Sequence, residues 1–411
     1  MAQKFRSRSA LAPVFALALF LAGCVSTPAP RVSLAALPAS QQAQAARNLR
    51  TFQAVWSLVA DRHYDPKLQG VDWPAAGEKF GAQAAAAADE TALYATLNTM
   101  LGLLKDSHTH ALTPAQATER RTHQRARTGF NVMRVEGRWV VADTLPGSPA
   151  DVAGVRRGWI VTARNGERVG ERFDFKPRDG EIAQWEFLDA QDASVSLALA
   201  ARPLSTAPRQ EMRELTGGFV YLRFDGFDTA DRRWLGEQLR AHRDAPGVVI
   251  DLRRNPGGET FSLGIAIGEF FRHHVDCGRF ISRDGDSSRK NSFQLGSARY
   301  GGRVAVLTDA GTGSAAEIFS AVLQDHGRAT IIGRKTAGAV LASWFYSLAD
   351  GGELQLSRED YVTPKGRRLE GDGVEPDFAS QLTLADLRTG HDPDLDVALR
   401  VLAEPHGVLP P

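Results

Sequence analysis

Apolar residues recur at intervals of three and four near the start of the body of the chain. Phe52, Val55, Trp56 and Val59 form one such set, and Leu93, Leu97, Met100, Leu101 and Leu104 another, with an Ala-rich stretch between them. That spacing lines one face of a helix and predicts two or three packed helices within a subdomain spanning residues 47–118. The period then changes to two. The segments GFNVMRV, RWVVADTL, WIVTARNGERV and SVSLALAAR alternate apolar with polar positions, separated by turn signals at Gly137, Gly147 and Asn165-Gly166. They predict a small β-rich module over residues 126–203. From Gly217 onward the apolar runs GFVYLRF, GVVIDLR, RVAVLT and ATIIG are separated by helical stretches over residues 230–243, from Phe261 to Phe271, and after Ser314. Strands alternating with helices predict an α/β layered domain over residues 210–385, followed by a helix in LDVALRVLAE within residues 386–411.

The first two dozen residues obey neither period. Lys4, Arg6 and Arg8 precede LAPVFALALFLAGC, an apolar run too short for a membrane span but suited to an export signal over residues 1–23. It ends in Leu21-Ala22-Gly23-Cys24, which resembles the bacterial lipobox. The resemblance implies that Cys24 is acylated and becomes the new N-terminus, held on a lipid bilayer by chains whose buried methylenes contribute about 0.8 kcal/mol each. Val25 and Ser26 follow without an aspartate, which by similarity to Gram-negative lipoproteins implies the outer membrane, facing the periplasm. Residues 24–46, rich in Ala, Pro, Ser and Gln, read as a tether. Acylation of Cys24 would leave Cys277 without a partner, so no disulfide framework is expected. A net charge of +1 and the lack of a basic tract with interleaved aromatics exclude an electrostatic case for nucleic acid as a partner. With 411 residues, 43% of them hydrophobic, the chain can bury more than one core.

Candidate chemistry gathers in four separated segments. Ser314 stands in GTGSAAEIFSAVL, where a buried strand ends, a glycine turn intervenes and a helix begins. Unpaired first-turn N–H groups and the positive end of the helix dipole stabilise oxyanion charge at such a junction. Ser-Ala-Ala-Glu is also a capping box, in which Glu317 reaches back to the Ser314 amide. That segment alone leaves both roles open. DLRRNPGGE carries Gly257 and Gly258, which permit backbone conformations closed to other residues and can aim amides into a cleft, or merely turn the chain toward a helix. LKDSHTH carries Ser107 and His108, one of ten histidines, and PKGRRLEGDGVEPD carries Glu370.

In this order the four segments resemble the tail-specific and tricorn-core family of serine peptidases, as do FQAVW, YDP, VDW and YLRFDGF elsewhere in the chain. The resemblance implies a crotonase-like (ClpP-like) α/β spiral as the catalytic domain, and hydrolysis of polypeptide substrates without a metal, nucleotide or other cofactor. One branch of the family takes as base a lysine that follows a glycine beyond the nucleophile helix. Here Ala339 follows Gly338, and Lys335 lies four residues too early. The tricorn-like branch instead implies Ser314 as nucleophile, His108 as base, Ser107 and Glu370 behind the base, and Gly257 or Gly258 with Ala315 as oxyanion donors. Asp372 and Glu375 lie near enough to exchange with Glu370. Asp325 resembles an acidic position near the site in the lysine branch, and also fits a helix end or a pair with Arg328. Within the β-rich module, PGSPADVAGVRRGWIVTARNGERV resembles a PDZ domain, with Gly129 and Phe130 matching the loop that binds a peptide carboxylate and Trp159 replacing the usual aspartate. Such a groove adds a peptide strand to a sheet edge. Because one scaffold hosts several functions, a non-catalytic ligand- or peptide-binding protein is the alternative reading.

Overall fold

The computed structural model describes residues 33–34, 38–293 and 299–404. The export signal, Cys24 and the start of the tether lie outside the described residues. The end of the tether is helical, contrary to the expectation of an irregular linker: the helix Ala39–Arg62 begins inside it and buries Ala45 beside Leu49 and Ala85. Alanine and glutamine propagate a helix well, and a packing partner fixes it. Among the described residues no helix is long and apolar enough to cross a membrane.

Phe52, Val55, Trp56 and Val59 form the buried face of that first helix. Two further helices, Trp73–Ala86 and Glu90–Leu101, begin at Asp72 and Asp89, whose side chains accept first-turn amides. Trp56 and Trp73 clasp each other, each indole N–H donating to the other's carbonyl at 3.0 and 3.1 Å. Their core is shared with Leu348, Leu354 and Leu356 from the other end of the chain. The helical part is therefore anchored on the C-terminal half.

The β-rich module is a sheet of strands Phe130–Val135, Arg138–Thr144, Ile160–Arg164, Ile182–Leu188 and Ser194–Ala200, with the short Glu167–Arg168 beside the third. Phe130, Val141, Val161, Trp185 and Phe187 fill its core. The chain enters and leaves it through a two-stranded ribbon, Gln124–Arg127 against Arg202–Ser205. Leu384 and Leu387 pack on its far side.

The α/β part has a central six-stranded sheet. Gln210–Glu214 runs antiparallel at one edge, and Val220–Phe224, Gly247–Asp251, Arg303–Thr308, Thr330–Gly333 and Phe378–Ala379 follow in parallel. Helices Thr229–Ala241, Thr260–Gly268 and Ala315–Asp325 supply buried side chains to one face, and Pro393–Ala403 covers the other. Strands covered on both faces need apolar side chains on both, hence the unbroken runs GVVI and RVAVL. The second of those helices ends three residues before the sequence pattern suggests, because Phe270 continues into the core after the helix has stopped.

A second sheet is built on the long strand Glu353–Val362. His110–Leu112 pairs with its first residues, 353–355, and Asp276–Ser282 with its last, 359–362, while Ala342–Ser347 pairs along residues 353–359 as an edge strand. Pairing His110 with Gln355 draws the 105–109 loop to the C-terminal ends of the central parallel strands. Clefts outside those strand ends are where α/β sheets bind ligands.

Candidate active site

The strand Arg303–Thr308 ends at a loop stitched to its neighbour: the Thr312 hydroxyl donates to the Leu252 carbonyl at 2.8 Å, and the Gly313 amide to the Asn255 carbonyl at 2.9 Å. Ser314 follows with φ 52° and ψ −121°, a conformation that costs a non-glycine residue about 1–3 kcal/mol. It is the N-cap of the helix Ala315–Asp325; Glu317 reaches back to its amide, but the Ser314 hydroxyl makes no cap bond, and the residue lines a cleft. The capping and nucleophile readings are therefore compatible. Glu317 also does more than cap. Fully buried, its carboxylate accepts the Ser314 amide at 3.1 Å, the Gly338 amide at 2.7 Å, the Ala339 amide at 2.8 Å and the Thr336 hydroxyl. Burial holds the carboxyl above its ordinary value despite those four donors.

The glycine segment lies against Ser314. A Cβ on Gly257 would come 2.6 Å from the Ser314 Cβ, and one on Gly258 would come 2.5 Å from the Phe227 carbonyl oxygen. Both positions have positive φ, 101° and 155°. The two amides differ in fate. The Gly257 N–H donates to the buried Asn255 side chain at 2.9 Å, which removes it from the expected pair of oxyanion donors. Among the described residues, neither the Gly258 nor the Ala315 amide donates to a protein acceptor.

The His108 side of the cleft assembles from three remote segments. The Glu370 carboxylate accepts the Ser107 amide at 3.0 Å, the Ser107 hydroxyl at 3.0 Å and the Val340 amide at 2.9 Å. The Ser107 oxygen lies 2.6 Å from His108 Nδ1. A hydroxyl that gives its one proton to a carboxylate can only accept from the ring, so Nδ1 carries the ring proton and Nε2 keeps its lone pair. Burial lowers the His108 pKa, with the Asp106 carboxylate opposing it, so the ring is neutral at pH 7. His108, Ser314, Gly258, Ala315 and Val340 line one cleft of about 660 Å³. No hydrogen bond joins the His108 ring to the Ser314 hydroxyl, and a bound substrate would have to bring them within reach, as is common in unliganded sites.

Other sequence candidates fall elsewhere. Asp372 and Glu375 both pair with Lys335, at 3.0 and 2.6 Å, which leaves Glu370 facing Ser107 and raises the Lys335 pKa through those two acids. Asp325 pairs with Arg367 at 2.7 Å and accepts the Lys365 amide, whereas Arg328 binds the carbonyls of Phe270, Tyr300 and Gly302. The expected Asp325–Arg328 pair is thus replaced. Cys277 is a buried free thiol pushed up to about 12 by burial. Gly129 sits at φ 99° against Ser148, and Phe130 opens a strand whose other edge is unpaired but whose ring packs on Trp185 and Phe187. Residues 169–181 form no helix beside that edge. Arg254, at φ 64°, reaches from the glycine segment to Asp143 of the β-rich module at 2.5 Å. Asn255 and Asp106 were passed over in the sequence, although each stands within two residues of a candidate, and Glu317 was read there only as half of a capping box.

Comparison with known proteins places this geometry. The profile of peptidase family S41 matches residues 218–380, and that of the tricorn protease C1 domain matches residues 45–102. The chain is 24% identical to carboxyl-terminal-processing peptidase 3 (chloroplastic) of Arabidopsis thaliana, covering 92% of this chain and 78% of that protein. It is also 24% identical to a carboxyl-terminal-processing protease of Synechocystis sp., covering 84% and 85% of the two chains. The solved structure of a photosystem II D1 C-terminal processing protease superimposes with a TM-score of 0.58 at 22% identity, over 87% of this chain and 97% of that one.

Proposed function

The chain belongs to the S41 family of serine-type peptidases, and we propose that it cleaves polypeptides with Ser314 as nucleophile and His108 as general base. The observation that carries this reading is the relay Glu370–Ser107–His108 opening on the cleft that holds Ser314. His108 Nε2 takes the Ser314 proton as the hydroxyl oxygen attacks the scissile carbonyl carbon. The resulting oxyanion lies between the Gly258 and Ala315 amides, and losing one such donor costs about 3 kcal/mol of barrier. The imidazolium formed in this step is stabilised through Ser107 by the Glu370 carboxylate, in the manner of a triad acid. It then protonates the leaving amine nitrogen as the C–N bond breaks. A water, deprotonated by the same ring, attacks the acyl-serine, and the proton returns to Ser314.

The β-rich module is read as a PDZ-like unit whose free Phe130–Val135 edge receives substrate backbone, and the catalytic half as a crotonase-like spiral. By this reading acylated Cys24 holds the enzyme on the envelope, facing periplasmic polypeptides; Cys24→Ala should abolish incorporation of radiolabelled palmitate and release the protein from membranes. The activity is tested by active-site labelling with a fluorophosphonate and by hydrolysis of a fluorogenic peptide. Ser314 should be the labelled residue, and Ser314→Ala should lower kcat on the order of 10⁶-fold. Folded protein that neither labels at Ser314 nor hydrolyses peptide would favour the ligand-binding alternative.

A further inference from the structure

The base-bearing loop has a second set of ties that the relay does not use. Asp106 precedes Ser107, and its side chain is 2% exposed. Its Oδ1 accepts the His108 amide at 3.1 Å, the Thr109 amide at 2.7 Å and the Ser357 hydroxyl at 3.2 Å. Its Oδ2 accepts the Thr109 hydroxyl at 2.7 Å and faces Nε2 of His63, itself fully buried, at 2.7 Å. Burial would raise the Asp106 pKa, yet the bonds from His63 and Thr109 outweigh it and hold the carboxyl below its ordinary value. The group is therefore an ionised carboxylate under the loop.

His63 is the C-cap of the first helix. Its Nδ1 lies 3.2 Å from both the amide nitrogen and the carbonyl oxygen of Asp65, so Nε2 can present its proton to Asp106 whether Nδ1 accepts or donates. Tyr64 lies with its ring tilted against the His63 ring, centroids 4.6 Å apart, and donates its amide to the Ser357 carbonyl. Its hydroxyl lies 3.5 Å from Arg368, which in turn donates to the Glu370 carbonyl at 3.1 Å. One helix end thus meets both halves of the Ser107–Glu370 couple. Without these ties the segment 105–109 is a loop that starts at a left-handed Lys105, φ 51°, and exposes Ser107. The charge-assisted bonds to Asp106 fix the backbone on both sides of the His108 Cα, and hence the direction in which its ring leaves the chain.

We propose that Asp106, clamped by His63, is the positioning residue for the His108 base, an inference that rests on the peptidase reading above. It acts through the loop backbone and through its charge, and touches no reacting atom. The titratable groups around the ring are Asp106, His110 and, through Ser107, Glu370, with His63 behind Asp106.

The test uses the full chain and the same fluorogenic peptide. Asp106→Asn should lower kcat about 10²-fold, the scale expected when a reacting group is misplaced, with KM changed by less than about 3-fold. It should also move the acid limb of the pH profile to lower pH, because the Asp106 charge that opposes the effect of burial on His108 is gone. Loss of mere packing would wet the ring and move that limb upward instead. His63→Leu should lower kcat as well, and His63→Gln, which keeps an N–H donor for Asp106, should regain most of the loss. Should Asp106→Asn fail to fold, the His63 pair decides. The proposal is overturned by an Asp106→Asn enzyme with unchanged kcat, by an acid limb that stays or rises, or by His63→Leu and His63→Gln behaving alike. A wild-type chain that does not label at Ser314 would overturn the peptidase reading itself, so the two failures are told apart.

Discussion

The two walls of the cleft are built by different means. The nucleophile wall, which holds the proposed nucleophile Ser314, grows from adjacent parallel strands, Gly247–Asp251 and Arg303–Thr308, whose following loops are tied by backbone and threonine bonds and backed by the buried Glu317 carboxylate. The base wall is a meeting of segments some 263 residues apart in sequence, joined at Ser107 and Glu370 by side-chain hydrogen bonds, with Ser107 exposed. Main-chain ladders inside a sheet open only with the fold, whereas partly solvated side-chain contacts open locally at much lower cost. Damage to the first wall should therefore lower stability and activity together, and damage to the second should lower activity alone.

After removal of the Ser314 hydroxyl itself, the largest effect is expected at Gly257. An alanine there would place its Cβ 2.6 Å from the Ser314 Cβ, 2.7 Å from the Ala315 nitrogen and 2.8 Å from the Gly313 carbonyl, none of them a flexible side-chain end. Gly257→Ala should lower kcat about 10³-fold, the cost of displacing an oxyanion donor, and should also lower the melting temperature. Single-turnover kinetics beside calorimetry read both. An alanine variant with a normal melting temperature would break the contrast between the walls. Glu317→Gln comes next. Its amide nitrogen would face two N–H donors that now meet a carboxylate oxygen, and unpaired buried donors make a loss of about 3 kcal/mol in stability the expected result of denaturant unfolding.

The contrast also explains what could be read in advance. GVVI and RVAVL are apolar because both faces of their strands are covered, and the position of Ser314 follows from strand, glycine turn and helix in one short stretch. Local signals of this kind survive in a sequence. Which donor of the glycine pair is free did not, because it depends on the Asn255 side chain folding back onto Gly257. The family resemblance implied Glu370 but left Asp372 and Glu375 near enough to exchange with it, and only the fold shows Lys335 pairing with the latter two. The helical start of the supposed tether was hidden for a related reason: the turn before Ala45 carries Gln41 and Gln42, and part of its cover, Ala85, comes from a remote segment.

On the base wall, Glu370→Gln should leave the melting temperature within about 2 °C while lowering kcat about 30-fold. The glutamine oxygen can keep the Ser107 hydroxyl and the Val340 amide, so the ring tautomer survives. The Ser107 amide then faces an NH₂ group, and the negative charge that stabilises the imidazolium is gone. A parallel fall in stability would place Glu370 with the nucleophile wall, and the distinction would fail.

The smallest effect is in pH, and it reports directly on how the base is held. In the proposed reaction His108 must be neutral to accept the Ser314 proton, so kcat/KM should fall on the acid side with the midpoint of the free enzyme's base. Burial disfavours the imidazolium and Asp106 favours it; burial wins, and the midpoint should lie below the ordinary histidine value of 6.5. The same group makes a stability contribution of known sign. Its folded pKa is lower than its unfolded one, so the unfolded chain binds more protons through that interval, and stability from His108 is present above 6.5 and lost as pH falls through the depressed value. Activity should therefore persist into mildly acid buffer before it fails. An acid limb at or above 6.5 would mean that the ring is hydrated in the working enzyme and that the base wall opens further than its hydrogen bonds allow.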